Sequence, residues 1–356
     1  MNDNSALLAQ HKPKDRDFIE TQEGLLFCVV GYLHPPDKVT AYLKYSPATA
    51  GRWQRQGRAY RRELAFYHAH QVAETLDILQ THYPHYVHTC PVRDMRFSMV
   101  PHEYVLTYYC PEQRLAEILA HPADPLEETV VKVVQTIQEA TGLSPASLGV
   151  TGSILLGIHD PGFSDIDLTV YGRENVRRLR PALADGLPGT APPDKAYIED
   201  WCRGVMRYFG LSEAQARWLV SRRWTFTFPY PHRAKQGVIV SLHPTRTDAE
   251  IQEVYGEHIY RDVGMVRLQA TIADAADAVF MPAIYALADV RILEGPAVAV
   301  SDICAYEGLF SQVADVGERV EARGKLEQVD GGRRYRLVIG SSRRAGPEYL
   351  LPIGLL

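Results

Sequence analysis

The chain has 356 residues, of which 46% are hydrophobic and 23% charged, with a formal net charge of −5. That length is enough for two or three globular units, and the acidic balance excludes a uniformly basic nucleic-acid binder while permitting local basic patches. Five dispersed cysteines with no CxxC pair, no run of 18 apolar residues and no apolar leader-like stretch at the start predict a reduced, cytoplasmic protein that does not engage a membrane.

In chain order, residues 1–14 are polar and predict a flexible N-terminus. Residues 15–121 read as an α+β unit. The apolar run from Gly24 to Gly31, the turn signal His34-Pro35-Pro36-Asp37 and the alternating segment Val39–Tyr45 predict a β-hairpin. Good helix formers predict a helix from about Gln56 to Leu79, and a shorter one is expected over residues 112–120. His82, His85, His88 and Cys90 lie close together, but no second cluster accompanies them, so helix-end or loop histidines are the better reading than a zinc site.

Pro122 to Pro125 mark a boundary, and a second unit spans 122–258. Leu126, Val130, Val133, Val134 and Ile137 repeat at helical spacing up to Gly142, with Glu127 and Glu128 in the first turn where the helix dipole favours acids. A Gly-Ser turn, a short helix near Ile154–Gly157 and a loop with Pro161 and Gly162 lead into the strand Asp165–Tyr171. A basic helix over 173–185, helical sequence over 196–221 and strands over Arg222–Phe228 and Gly237–Leu242 follow. The last unit, 259–356, consists of short strand-like runs, with a hairpin turn at Asp330-Gly331-Gly332, and predicts a small antiparallel β-domain for which a barrel is one closure.

The chemistry concentrates in Gly149-Val150-Thr151-Gly152-Ser153 and, eleven residues after Ser153, in Asp165-Ile166-Asp167-Leu168. Strand side chains alternate, so Asp165 and Asp167 share a face while Ile166 and Leu168 turn to the core. Paired carboxylates repel one another unless a cation lies between them, and Mg²⁺ or Mn²⁺ would supply it while keeping positions for phosphate oxygens. Gly152 removes a Cβ where backbone must approach closely, and Ser153 and Ser164 offer hydroxyls to phosphate. The plainer alternative, two solvated acids on an edge strand, leaves the Gly-Ser turn unexplained.

This pattern resembles the signature of the nucleotidyltransferase superfamily that includes DNA polymerase β. Asp17-Phe18-Ile19-Glu20-Thr21, Glu23-Gly24-Leu25 and Gly31-Tyr32-Leu33-His34-Pro35-Pro36, with the motif above, resemble a mainly archaeal family of predicted nucleotidyltransferases, along most of the chain. The resemblance implies an α+β polymerase-β-type core of mixed sheet with helices on one side, flanked by an N-terminal α+β region and a C-terminal β-domain. It implies transfer of a nucleoside monophosphate from an NTP to a hydroxyl of RNA, protein or a small molecule, by two metals about 3.5–4 Å apart.

Members of the superfamily usually carry a third acid on a neighbouring strand. The matching strand here, Gly237–His243, has none, so Ser241 or His243 would stand there, with Asp248 and Glu250 just beyond. Either the third ligand comes from elsewhere, or two acids suffice, or the chain binds nucleotide without turnover. Arg177 and Arg180 share a face of the basic helix and are candidates for phosphate contact. The C-terminal region sets eight basic residues (Arg319, Arg323, Lys325, Arg333, Arg334, Arg336, Arg343, Arg344) against four acidic ones, which predicts an RNA or other nucleic-acid partner there. The aromatic- and arginine-rich stretch Arg52–Arg62 is a second candidate surface.

Overall fold

Strands sort into three sheets in the computed structural model, which describes residues 12–64, 69–231, 237–340 and 348–356. The first sheet is built from β1 (Phe18–Thr21), β2 (Leu26–Val29), β3 (Lys38–Ala48), β4 (Trp53–Arg55), β5 (Arg58–Arg62), β6 (Val87–Cys90), β7 (Met95–Pro101) and β8 (Val105–Tyr109). Its order is β4-β5-β3-β2-β1-β8, and the β6-β7 hairpin attaches to β3. The expected β2–β3 hairpin is present.

Both faces of β1 and β2 are covered. Alternation sends Ile19, Phe27 and Val29 into one apolar cluster and Phe18, Leu26 and Cys28 into another. The second cluster also contains Leu155, Leu156 and Ile158, from the segment after the Gly-Ser turn. The N-terminal sheet is therefore fastened by its own core to the segment that carries the motif.

The helix expected from Gln56 begins later, as α1 (Ala69–His82). Gln56 (φ 49°) and Gly57 (φ 79°) instead form the β4–β5 turn. Cross-strand pairing with buried Tyr60 overrides the helix propensity of the arginines. Residues 1–11 of the predicted flexible terminus lie outside the described residues, and Lys14, inside them, is only 3% exposed.

The second sheet follows α2 (Pro111–Ala120) and α3 (Pro125–Thr141). The Asp124 side chain caps α3 by accepting from the backbone N–H groups of Leu126 and Glu127, and Gly142 ends it in the left-handed region. Then come β9 (Leu148–Thr151), the single turn α4 (Gly152–Leu155), β10 (Ile166–Tyr171), α5 (Arg173–Asp185), α6 (Lys195–Phe209), α7 (Glu213–Ser221), β11 (Thr225–Pro229) and β12 (Gly237–Thr245). Strand order is β11-β12-β10-β9, with β10 and β12 parallel. Ile166, Leu168 and Val170 point into its core with Val130, Val133, Val134 and Ile137 of α3.

The helical stretch expected over 196–221 is two helices, divided at Gly210 (φ 66°), with a Ser212–Gln215 capping box opening the second. Cys202, Val205, Phe209, Ala216 and Leu219 from these helices share one apolar cluster with the third sheet.

That sheet comprises β13 (Tyr260–Asp274), β14 (Ala283–Glu294), β15 (Val300–Ala305), β16 (Arg319–Val329), β17 (Arg334–Ile339) and β18 (Tyr349–Pro352). Pairing runs β13-β14-β15-β17-β16 and returns to β13, closing a five-stranded ring, with β18 added on β16. The expected barrel is present, but it is not wholly antiparallel, because β15 and β17 run parallel. Asp330, Gly331 and Gly332, all at positive φ, make the expected turn between β16 and β17. The fold is thus mixed α+β, with seven α-helices among the described residues. No helix among them is long and apolar enough to cross a membrane.

Candidate active site

β9 and β10 lie antiparallel, and Thr151 is registered opposite Asp167. The chain reverses at Gly152, whose φ of +70° favours glycine. A Cβ there would stand 2.8 Å from Asp167 Oδ2. The glycine expected beside a phosphate is thus required first by the carboxylate it packs on. Ser153 follows, 7% exposed. Asp160 holds the loop back to β10, as its backbone N–H donates to Ser164 Oγ (3.0 Å) and its Oδ1 accepts from the Gly162 N–H (2.7 Å).

Asp165 stands at the mouth of β10 and Asp167 one pleat further in. Both line a cleft of about 1150 Å³, together with Gly152, Ser153, Ser164 and His243. Desolvation by the cleft walls, although the residue stays exposed at the mouth, and the neighbouring charge of Asp167 raise the Asp165 carboxyl. Asp167 moves the other way. Burial opposes its ionisation but is outweighed by the hydrogen bond from His243 and by the charges of Lys44 and Arg16. One carboxylate is therefore firmly ionised and its partner holds its proton more tightly than a free aspartate, as neighbouring acids do when their charges repel.

His243 occupies the place where a third acid was sought. β12 runs parallel to β10 with Ser241 opposite Asp167, and His243 Nε2 lies 3.0 Å from Asp167 Oδ1. An ionised carboxylate only accepts, so Nε2 is the donor. Burial, then the charge of Arg16, lowers His243 to about 4, so the ring is neutral near pH 7. With Nε2 committed to Asp167, this nitrogen orients the carboxylate rather than taking a proton from an acceptor.

Two other candidates do not join the site. Arg177 is exposed on α5 and holds Glu174 through two hydrogen bonds of 2.9 and 2.7 Å. Asp248 sits on a short 3-10 turn, paired at 2.9 Å with Lys14. Neither lines the cleft. The rest of the basic helix is similarly occupied, with Arg173 on Asp277, Arg178 on the Thr141 carbonyl and Arg180 on Asp315.

The basic C-terminal patch is also redistributed. Lys325 and Arg336 are buried on Glu327 at 2.5 and 2.7 Å and line the cleft, whereas Arg319, Arg333 and Arg334 stay exposed. Arg343 and Arg344 lie outside the described residues. In the Arg52–Arg62 stretch, the Arg52 guanidinium stacks 4.0 Å over Phe163 and Arg55 binds Glu20, so part of that surface is turned inward. His85 packs on Tyr86 and Tyr104 and pairs with Glu23, and His82 packs on Tyr83. A different metal-capable group, Asp124, Glu127 and His159, gathers within 4.8 Å. Its atoms are already engaged: Asp124 Oδ2 with His159 (2.7 Å), and Glu127 with Arg114 and the Ala123 N–H.

The opposite wall of the cleft was only partly foreseen. Arg16, Lys44 and Arg62, all N-terminal, line it with the two acids. Arg62 ends the arginine-rich stretch singled out above, whereas no local motif marks Arg16 or Lys44.

Residues 128–224 match the family model described as a nucleotidyltransferase domain. That segment is similar to a nucleotidyltransferase domain. The matched segment contains Gly152, Ser153, Asp165 and Asp167 but ends before β11 and β12, so His243 lies outside it. The chain is also 27% identical over 351 residues to the uncharacterized protein MJ1086 of Methanocaldococcus jannaschii, covering 95% of this chain and 98% of that one. No solved structure matches it.

Proposed function

We propose that this protein transfers a nucleoside monophosphate from an NTP to a hydroxyl acceptor, with Asp165 and Asp167 holding Mg²⁺ or Mn²⁺. The observation that carries the reading is the packing of the Gly152 turn directly on Asp167, which sets the Gly-Ser turn and two carboxylates in one cleft. The donor set fits a hard divalent cation: adjacent carboxylate oxygens, one of them oriented by a neutral imidazole. When bound, the metal would polarise the transferred phosphate and neutralise charge on the oxygens around it.

The chain's own groups do the rest. Ser153, beside the turn, offers a hydroxyl to the phosphates, and Gly152 lets the turn pack against Asp167. His243 holds Asp167 in one orientation. The cleft runs on between the first sheet and the barrel, where Lys325 and Arg336 line it, so the acceptor enters from that side.

The test is pyrophosphate release from each of the four NTPs with Mg²⁺ or Mn²⁺. Asp165→Asn and Asp167→Asn should each lower the rate by about 10²–10⁴-fold, the equivalent of several kcal/mol of lost charge stabilisation, with circular dichroism unchanged. Equal rates in wild type and both variants would remove these acids from the chemistry. Tight NTP binding without turnover would instead leave a nucleotide-binding protein on the same fold.

A further inference from the structure

We infer that Arg16, Lys44 and Arg62, contributed by the N-terminal sheet and the segment leading into it, hold the triphosphate of the incoming nucleotide over Asp165 and Asp167. The inference rests on the nucleotidyl-transfer reading and extends it to a second structural unit.

The placement comes first. All three side chains line the same cleft as the two acids. Their charges act on those acids in an overlapping pattern, Arg62 and Lys44 on Asp165, and Lys44 and Arg16 on Asp167. Arg16 is held with care. Its φ is +76°, a left-handed conformation costly for a side chain with a Cβ. It is kept there by a hydrogen bond from its N–H to the Val29 carbonyl (3.2 Å) and by its own carbonyl, which accepts from Thr151 Oγ1 at 2.7 Å. Thr151 is the residue before Gly152, so Arg16 is tied to the phosphate turn itself.

Lys44 is 4% exposed, with its ammonium 5.1 Å above the Phe18 ring. Arg62 stands on the neighbouring strand, registered opposite Tyr45. The apolar fastening described above and the Arg55 hydrogen bond to the Leu156 carbonyl (3.1 Å) fix this wall relative to the motif.

Charge then selects the ligand. In the free protein the cations answer three carboxylates of the cleft, Asp165, Asp167 and Asp15, whose Oδ2 lies 3.4 Å from Arg16 Nε. A divalent metal held by Asp165 and Asp167 would take up their charge, leaving Lys44, Arg62 and the metal with an excess of positive charge in a partly desolvated cleft even with Arg16 paired to Asp15. A polyanion restores the balance, and arginine and lysine are the side chains suited to phosphate oxygens. The ligand is the triphosphate rather than the base or sugar, since the cations gather at the carboxylates and the Gly-Ser turn.

Inorganic tripolyphosphate, common to every NTP, is the probe. Its affinity for the full chain is measured by calorimetry with Mg²⁺ present, alongside pyrophosphate release. Lys44→Met and Arg62→Gln should each weaken tripolyphosphate binding about 10-fold or more, and Lys44→Arg should recover most of the loss. Arg62 is partly exposed, so its variant keeps the test alive if Lys44→Met does not fold. Wild-type tripolyphosphate affinity in a folded Arg62→Gln protein, with pyrophosphate release still dependent on Asp165, overturns this inference and leaves the function intact. A wild-type protein that neither binds tripolyphosphate nor releases pyrophosphate overturns both.

Discussion

Replacing Gly152 by alanine separates two effects that the structure places on one atom. The added methyl needs a backbone at φ +70°, which costs a residue with a Cβ about 1–2 kcal/mol. It also arrives 2.8 Å from Asp167 Oδ2, inside van der Waals contact. Asp167 must then withdraw by about half an ångström to regain an ordinary separation, which strains its 3.0 Å hydrogen bond from His243. Misplacement on this scale lowers turnover by about 10–100-fold. Gly152→Ala should therefore melt a few degrees lower, roughly 2–4 °C per kcal/mol, and release pyrophosphate about 10–100 times more slowly. The two readouts are independent: an unchanged melting temperature refutes the backbone argument, and an unchanged rate refutes the claim that the turn and Asp167 form one site.

Three further expectations concern separate parts of the molecule. His243→Ala should raise the Mg²⁺ concentration needed for half-maximal rate by about 10–100-fold, as for loss of a group that orients a metal ligand, and an unchanged metal requirement would show that His243 does not position Asp167. Arg55→Ala removes the link from Glu20 to the Leu156 carbonyl and leaves the Glu20 carboxylate, 4% exposed, with Tyr109 (2.6 Å) and the more distant Arg58 guanidinium (3.9 Å); denaturant titration should show about 1–3 kcal/mol of lost stability. His34 is lowered to about 3, first by burial, and its Nδ1 accepts from the Thr40 N–H, so the folded ring is neutral. The unfolded chain takes up that proton below about 6.5. This stability is therefore present above pH 6.5 and lost as pH falls toward 3, by about 2 kcal/mol at pH 5; His34→Asn, which can still accept from Thr40, should flatten that slope, and an unaltered slope between pH 7 and 5 would refute it.

The local features of the chain were legible because their causes are local. Period-2 alternation placed Asp165 and Asp167 on one face and Ile166 and Leu168 in the core, and the structure has them so. The helix from Pro125 to Gly142, the strand after the Gly-Ser turn and the Asp330-Gly331-Gly332 hairpin follow from capping, spacing and turn chemistry within a few residues. The helix expected from Gln56 was misread for the opposite reason: its outcome depends on pairing with β3, which propensity does not contain.

Charge was the least legible feature. Each side chain carried its sign in the sequence, but not which partner, three residues away or far along the chain, it would take. Arg177 found Glu174 and Asp248 found Lys14, which removed both from the site, while Lys325 and Arg336 turned inward onto Glu327. The carboxylate pair and its glycine were determined by sequence alone, since they lie within one β-turn-β unit. The histidine on Asp167 and the cationic wall of Arg16, Lys44 and Arg62 were decided by tertiary structure, because strand pairing and a shared apolar core bring together residues 76 to more than 100 positions apart.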